Sequence, residues 1–393
     1  MSPYRYVVVG GGMAADAACR GIRDHDAEGT IALFAAEPHP PYSRPPLSKA
    51  LWAGREERMI WRGTEALGVD VHVGDRIVQL DPDACSVTDE RGMTYPYERL
   101  LLATGCRPRR LPSGDEGVVY FRTLDDFRRL RASVGPDTSV AVLGGGFIGS
   151  EIAAALVTSG ATVTMAFPES GIGAALFPPT LTSFVTEHYR ERGVEVLVGE
   201  LVAEITGTGS GHRLRTVTGR SIDADVVVAG LGTVPETELA EAAGFPVDDG
   251  IPVDELGRVG GRDDVFAAGD VARFPVPLLG GTRRVEHEDH ANTHGRTVGA
   301  NMAGAGMPYD HLPFFYSDLF DLAYEAVGDV DSALGTVEEW AEPNRKGVVA
   351  YVGDDGRARG FLLWGAWGKV DAARELIRAR ARPEAAILRA LLD

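Results

Sequence analysis

Cysteine is scarce in this sequence: 393 residues contain three, Cys19, Cys85 and Cys106. Three scattered cysteines make neither a disulfide framework nor a metal-ligand spacing, and they fit a reducing compartment. No C-x-x-C or C-x4-C pair occurs, which excludes an internal dithiol relay. Positive charge is also short, since 39 Lys and Arg against 57 Asp and Glu leave a net charge of −18 at pH 7. Nucleic acid and anionic membrane surfaces both need a basic footprint, so neither is expected as a partner. A strongly acidic protein partner would need a local basic patch to override that average. Long apolar runs are missing too. No stretch is long enough to span a bilayer, and "MSPYRY" runs straight into "VVVGGG" without a signal-peptide pattern. These absences lead us to expect a cytoplasmic soluble protein.

What is present is a soluble globular composition, 44% hydrophobic and 24% charged. The length suggests two or three domains. Forty-nine glycines cluster after apolar runs, where the backbone must approach something closely.

Two segments share one pattern. "YVVVGGGMAADAACRGI" (6–22) and "VAVLGGGFIGSEIAAAL" (140–156) each run from a β-branched strand through three glycines into an apolar helix. Gly10, Gly12 and Ala15 fit the dinucleotide fingerprint with alanine at its last position; Gly144, Gly146 and Gly149 fit it fully. The first glycine makes a tight turn, the second lets backbone N–H groups reach a pyrophosphate, and the third lets helix pack on strand. A lone fingerprint is weak, but each copy has an acid at the end of its next strand. Glu37 lies 37 − 12 = 25 residues past the second glycine, and Glu169 lies 169 − 146 = 23 past its own. The spacing expected of a ribose-binding acid is about 20. Each acid is followed by a β-rich ribbon (71–105 and 194–232) that ends in a buried strand and Thr104-Gly105 or Leu231-Gly232. The repeat predicts an α/β fold with two Rossmann-like dinucleotide-binding domains, the second inserted in the first. The first domain is expected to resume after about residue 250, where "VFAAGDVARF" (265–274) gives a buried strand ending in Gly269-Asp270. Two dinucleotide sites without a substrate domain between them suggest electron transfer from one cofactor to the other.

Taken alone, "PYSRPPLSKALW" (41–52) is a stiff, charged turn. In order along the chain, however, stand "VVVGGGMAADAA", "PYSRPPLSKALW", "LLATGCRPRRL", "VAVLGGGFIGSEIA", "FPESGIG", "FAAGDVARF", "RRVEHEDHA" and "YSDLFDLAYEAVG". Together they resemble the FAD- and NAD(H)-dependent oxidoreductases of the apoptosis-inducing-factor and dioxygenase-ferredoxin-reductase type, over nearly the whole chain. The resemblance implies an FAD-binding domain (1–114 and 251–307), an NAD-binding domain (115–250) and a C-terminal α+β domain (308–393). In the last, a hairpin turn is expected at Asp354-Asp355-Gly356, and residues 331–347 are expected as a short connection between strands.

By the same resemblance Arg44 anchors the FAD adenosine and phosphate, Lys49 reaches the flavin ring, and Glu151 pairs with Lys49. Phe147 corresponds to an aromatic gate over the flavin, so Lys49, Glu151 and Phe147 are the expected catalytic group. Arg109 and Asp270 are implied as FAD contacts, the aspartate toward the ribityl chain. Met13, Ala14, Ile77, Ala103, Thr104, Gly105 and Gly269 complete the implied FAD set; Ile148 and Gly232 belong with NAD(H). Tyr316 and Glu325 are implied to line the nicotinamide side, although the family more often has tryptophan where Tyr316 stands. His287, His290 and His294 fall at i, i+3 and i+7, a spacing that invites a metal reading. The acids Glu286, Glu288 and Asp289 instead read as partners of a helix dipole, and no metal is expected. In the family the N–H groups of Glu286, His287 and Glu288 face the flavin pyrimidine. Glu169 would repel a 2′-phosphate, and residues 165–172 hold no arginine to receive one, so NADH is expected over NADPH. Ala174 and Ala175 stand where the family has a second cation.

The function expected is oxidation of NADH through FAD, with single electrons passed to a small iron–sulfur or rubredoxin-like acceptor protein. The alternatives are an apoptosis-inducing-factor-like flavoprotein with slow turnover and NADH-linked signalling, or a quinone or oxygen reductase. A homodimer is compatible with either.

Overall fold

The computed structural model describes residues 3–112, 116–209 and 211–392. The chain divides into two compact units. One takes the chain up to Arg44, Glu57–Arg107 and Val234–Pro313; the other takes Pro45–Glu56, Pro108–Thr233 and everything from Phe314.

In the first unit the strand Tyr4–Val9 pairs in parallel with Ile31–Ala35 and Thr94–Leu102. Ile31–Ala35 in turn pairs in parallel with Asp70–Val73. Val265–Ala267 joins alongside Leu100–Leu102, so the chain does return to its first sheet late in the sequence. Ile31–Ala35, Val265–Ala267 and the ends Tyr6–Val9 and Leu100–Leu102 are buried runs, as a sheet covered on both faces requires, whereas the edge strand Asp70–Val73 is partly exposed. The far end of Thr94–Leu102 belongs to an antiparallel ribbon with Ser86–Asp89 and Ile77–Asp81.

The helix Met13–His25 packs on Glu288–Met302 at backbone contact. A Cβ on Gly295 would lie 2.4 Å from the Ala14 carbonyl oxygen, and one on Gly299 2.1 Å from that of Ala18. From the other side, a Cβ on Gly21 would meet the Arg296 carbonyl oxygen at 2.0 Å. Only glycine allows this approach. The same helix carries Asp16, fully buried and bonded by Arg20 Nε (2.9 Å), Arg62 Nε (2.7 Å) and Thr64 Oγ1 (2.8 Å). Burial would raise its pKa, but these donors hold the carboxyl below its ordinary range. Arg62 also reaches Asn292, so one paired charge ties together the two helices and the 62–64 loop.

In the second unit a parallel sheet runs in the order Glu195–Val198, Thr162–Phe167, Ser139–Leu143, Val226–Ala229, Val119–Tyr120. Its ribbon is Val202–Gly207, His212–Thr216 and Ser221–Ala224. The C-terminal part is a five-stranded antiparallel sheet followed by the helices Val370–Arg378 and Ala385–Ala390. The turn between Lys346–Val352 and Ala358–Trp364 falls at 353–357, with Gly356 at φ +69°. The expected connection at 331–347 needs correction, because it contains an edge strand, Gly335–Glu342. Its sequence GTVEEWAE hides the strand: three glutamates on an exposed edge remove the apolar alternation and discourage pairing with another chain. Among the described residues, no helix is long and apolar enough to cross a membrane.

Candidate functional site

Each unit builds the same cradle at the mouth of its parallel sheet. In the first, Gly10 has φ +133°, and a Cβ there would sit 2.1 Å from the Ala103 carbonyl oxygen. Gly12 is the N-cap of Met13–His25; no side chain caps the helix, and nothing lies within 4 Å of where its Cβ would be. In the second unit Gly144 has φ +111° and a would-be Cβ 2.3 Å from the Gly230 carbonyl oxygen. Gly146 caps Phe147–Thr158, again without a side-chain cap and with open space before it. The first-turn N–H groups of a helix lack intrahelical partners and carry its positive end. At Gly12 and Gly146 the chain therefore offers a helix N-terminus with no side-chain cap and open space before it, a positively polarised end that suits a pyrophosphate.

Around the first cradle the expected residues assemble unevenly. Glu37 is not isolated: its carboxylate accepts from Arg44 Nη2 (2.5 Å) and the Tyr42 hydroxyl (2.6 Å). Arg44 lies over the Tyr42 ring, 5.1 Å from its centroid. A carboxylate has about four acceptor positions, so Glu37 keeps capacity for a ribose. Gly269, at φ +75°, presses on Ala14: a Cβ would be 2.6 Å from the Ala14 Cβ. This brings the half-buried Asp270 beside the glycine turn. Ala103 N–H bonds the Val9 carbonyl (2.8 Å), Thr104 Oγ1 donates to the Glu236 carbonyl (2.7 Å), and the Gly105 carbonyl accepts from Glu236 N–H (2.9 Å). His287 is the N-cap of Glu288–Met302, with Glu288 and Asp289 in the first turn. Burial pushes the His287 imidazole down to about 4, against the pull of Asp270 and Glu286. The side chain of Ile77 is buried in the core. Among the described residues no group of His, Cys, Asp and Glu is arranged to hold a metal ion.

In the second unit Glu169 is exposed after the strand Thr162–Phe167. Arg109 is exposed and its N–H bonds the Gly232 carbonyl (2.9 Å). Phe147 is half-buried, edge-on to Phe315 with centroids 5.3 Å apart. Lys49 Nζ lies 2.6 Å from Glu151 Oε1 and 5.3 Å from the Tyr316 ring centroid. Tyr316 stands directly opposite Glu325 in the strand pair Phe314–Leu319 and Leu322–Gly328. Burial raises the Glu325 carboxyl, offset in part by the Gly368 N–H that it accepts at 3.2 Å. Three partners were not anticipated. Tyr42 holds Glu37, and Ser48 and Ser317 both hold Glu151. Ser48 reads as a turn residue, and nothing in the sequence singles out Ser317.

The pyridine nucleotide-disulphide oxidoreductase family model matches residues 4–295, and the model for the C-terminal region of mitochondrion-associated apoptosis-inducing factor matches 298–346. The chain is 36% identical to the anthranilate 1,2-dioxygenase system ferredoxin–NAD(+) reductase component of Burkholderia cepacia, over 98% of this chain and 96% of that one. It is 34% identical to apoptosis-inducing factor 1 of Dictyostelium discoideum, over 96% of this chain and 79% of the relative. Among solved structures it is similar to the covalent putidaredoxin reductase–putidaredoxin complex, with a TM-score of 0.90 and 28% identity over 99% of this chain and 95% of that one.

Proposed function

The chain belongs to the pyridine nucleotide-disulphide oxidoreductase family, and from that premise we propose that it oxidises NADH through FAD and delivers electrons to a small redox protein. The observation that carries this is two glycine-walled cradles without a side-chain cap, in one chain whose described cysteines form no disulfide. The family name includes a disulphide, but the described cysteines form no disulfide to reduce. Burial pushes the Cys19 thiol up to about 12, far from a reactive thiolate. Electrons must therefore leave for another molecule.

On this reading 1–114 with 251–307 binds FAD, 115–250 binds NAD(H), and 308–393 forms the C-terminal domain. Gly10, Gly12 and the first-turn N–H groups at Met13–Ala15 hold the FAD pyrophosphate, with Glu37 and Arg44 at the adenosine. Ala103, Thr104, Gly105, Arg109 and the backbone of Ile77 line its path, Gly269 and Asp270 take the ribityl chain, and the turn Glu286–Glu288 faces the flavin. Gly144, Gly146, Ile148 and Gly149 hold the NAD(H) pyrophosphate, Glu169 its ribose, and Gly232, Tyr316 and Glu325 the nicotinamide side. When bound, nicotinamide supplies a hydride, and flavin can accept it and release electrons singly. The protein aligns and polarises. Lys49, held by Glu151, would supply an ammonium donor to the flavin, and Phe147 would act as the aromatic gate that the resemblance implies. The acceptor is an iron–sulfur or similar one-electron protein, in keeping with the ferredoxin–NAD(+) reductase relative.

Anaerobic mixing with NADH should bleach the flavin band, and a [2Fe–2S] ferredoxin should restore it. A flavin that stays oxidised for minutes refutes the reading. The match at 298–346 favours one second reading, slow NADH oxidation coupled to a change of shape or association. A long-lived long-wavelength band with NADH-dependent dimerisation would select it.

A further inference from the structure

Glu151 is 5% exposed, and its carboxylate meets more than the lysine expected for it. Lys49 Nζ and Ser317 Oγ both lie 2.6 Å from Oε1, and Ser48 Oγ lies 2.6 Å from Oε2. Both serines are themselves buried, Ser48 at 5% and Ser317 at 1% exposure. Each hydroxyl has one proton. Ser48 also sits 3.4 Å from the Pro45 carbonyl, but the shorter contact to the carboxylate claims that proton. We propose that Ser48 and Ser317 are positioning residues that clamp the Glu151 carboxylate and through it aim the Lys49 ammonium. The proposal rests on the functional reading above.

The geometry explains why a strand remote in sequence can do this. Phe147 and Glu151 are i and i+4 on one helix face, an advance of about 6 Å along the axis. Phe315 and Ser317 are i and i+2 on one strand face, an advance of about 6.7 Å. The two repeats match. Phe147 meets Phe315 edge-on and Glu151 meets Ser317, so two contacts in step fix where the carboxylate stands. Without Ser317, Glu151 keeps Lys49 but loses the contact that ties the pair to the sheet. The adjacent Asp318 gives that tie an electrostatic consequence. Burial raises its carboxyl, Lys49 lowers it and Glu151 raises it, so it feels both charges. A lysine freed from its clamp can turn toward Asp318.

The test uses the FAD-loaded full chain and the substitutions Ser317→Ala, Ser317→Thr and Ser48→Ala. For Ser317→Ala the rate of flavin reduction at saturating NADH should fall about tenfold, the size expected for one hydrogen bond to a charged group, with little change in KM. The two-electron midpoint potential of the bound flavin should fall as well, by about 30 mV for each tenfold lost in stability of its reduced form. Ser317→Thr keeps the hydroxyl on a strand that favours β-branching and should restore both values. Should Ser317→Ala fail to fold, Ser48→Ala must show the same pair of losses. An unchanged rate and potential, or a threonine variant as impaired as alanine, overturns the clamp. Wild-type protein that NADH cannot bleach sinks the functional reading instead, so the two failures are told apart.

Discussion

Acid should unfold this protein through two histidines that it keeps neutral. His290 and His294 are 0% and 1% exposed, with ring centroids 4.7 Å apart. Phe274 packs on both, and the Tyr309 hydroxyl lies 3.0 Å from His290 Nδ1. His294 Nδ1 accepts the Gly269 N–H at 3.3 Å, which puts the ring proton on Nε2. Burial pushes His294 down to about 3; burial and then the neighbouring imidazoles push His290 well below its ordinary value. Asp289, which precedes His290, is bonded by His311 Nε2 at 2.6 Å, and His287 is depressed as well. At pH 8 neither histidine is charged, folded or unfolded. As pH falls through about 6.5 the unfolded chain takes up protons that the folded chain refuses, so stability falls with pH. The slope is about 1.4 kcal/mol per pH unit per histidine, hence about 4 kcal/mol for the pair by pH 5. That is a large share of the 5–15 kcal/mol typical of a folded protein. Proton uptake on unfolding in guanidinium, measured by pH-stat, reads this without assuming two states. Wild type should take up about two more protons than a His290→Gln, His294→Gln variant at pH 5, and the difference should vanish at pH 8. A difference below about one proton at pH 5 refutes the assignment.

Lys49→Ala should slow flavin reduction by one to two orders of magnitude while FAD stays bound, read by stopped flow and by the retained visible spectrum. Glu169→Ala should raise KM for NADH and narrow the preference over NADPH, measured as the ratio of kcat/KM; an unchanged ratio means another residue reads the ribose. Gly149→Ala should cost more than about 2 kcal/mol, because its Cβ would lie 2.1 Å from the Gly144 carbonyl oxygen, and the melting temperature should drop accordingly.

The glycine turns and the buried strands were legible because backbone sterics and burial leave a mark on residue type. Gly10 and Gly144 need positive φ, and the runs Val7–Val9 and Val140–Leu143 need both faces covered. The late return at Val265–Ala267 was legible for the same reason. The strand Gly335–Glu342 was not, since an edge strand has one free side and its glutamates erase the alternation. Ser317 was invisible for a different reason. Its partner Glu151 is 166 residues away, and a serine in a strand looks the same whether its hydroxyl meets a carboxylate or water. The pairing of Glu37 with Tyr42 and Arg44 was half visible: both residues stand in the stiff turn, but only the folded loop turns them back onto the acid.

The two cradles also separate what a ligand requires from what packing requires. Both put a positive-φ glycine first, jammed against a carbonyl of the neighbouring strand's exit, and both leave the helix-capping glycine with open space where a side chain would begin. At the third position they part. Gly149 is pressed onto Gly144, whereas Ala15 carries its methyl fully buried in the core. The first unit brings its helix into backbone contact elsewhere, through Gly295 and Gly299 of the helix that also presents His287 and Glu288. Close approach at that helix is therefore a matter of which neighbour must come near. A fingerprint that tolerates alanine at its last glycine is no weaker for it, because the tightly turned first glycine and the helix-capping glycine that faces open space are intact in both copies.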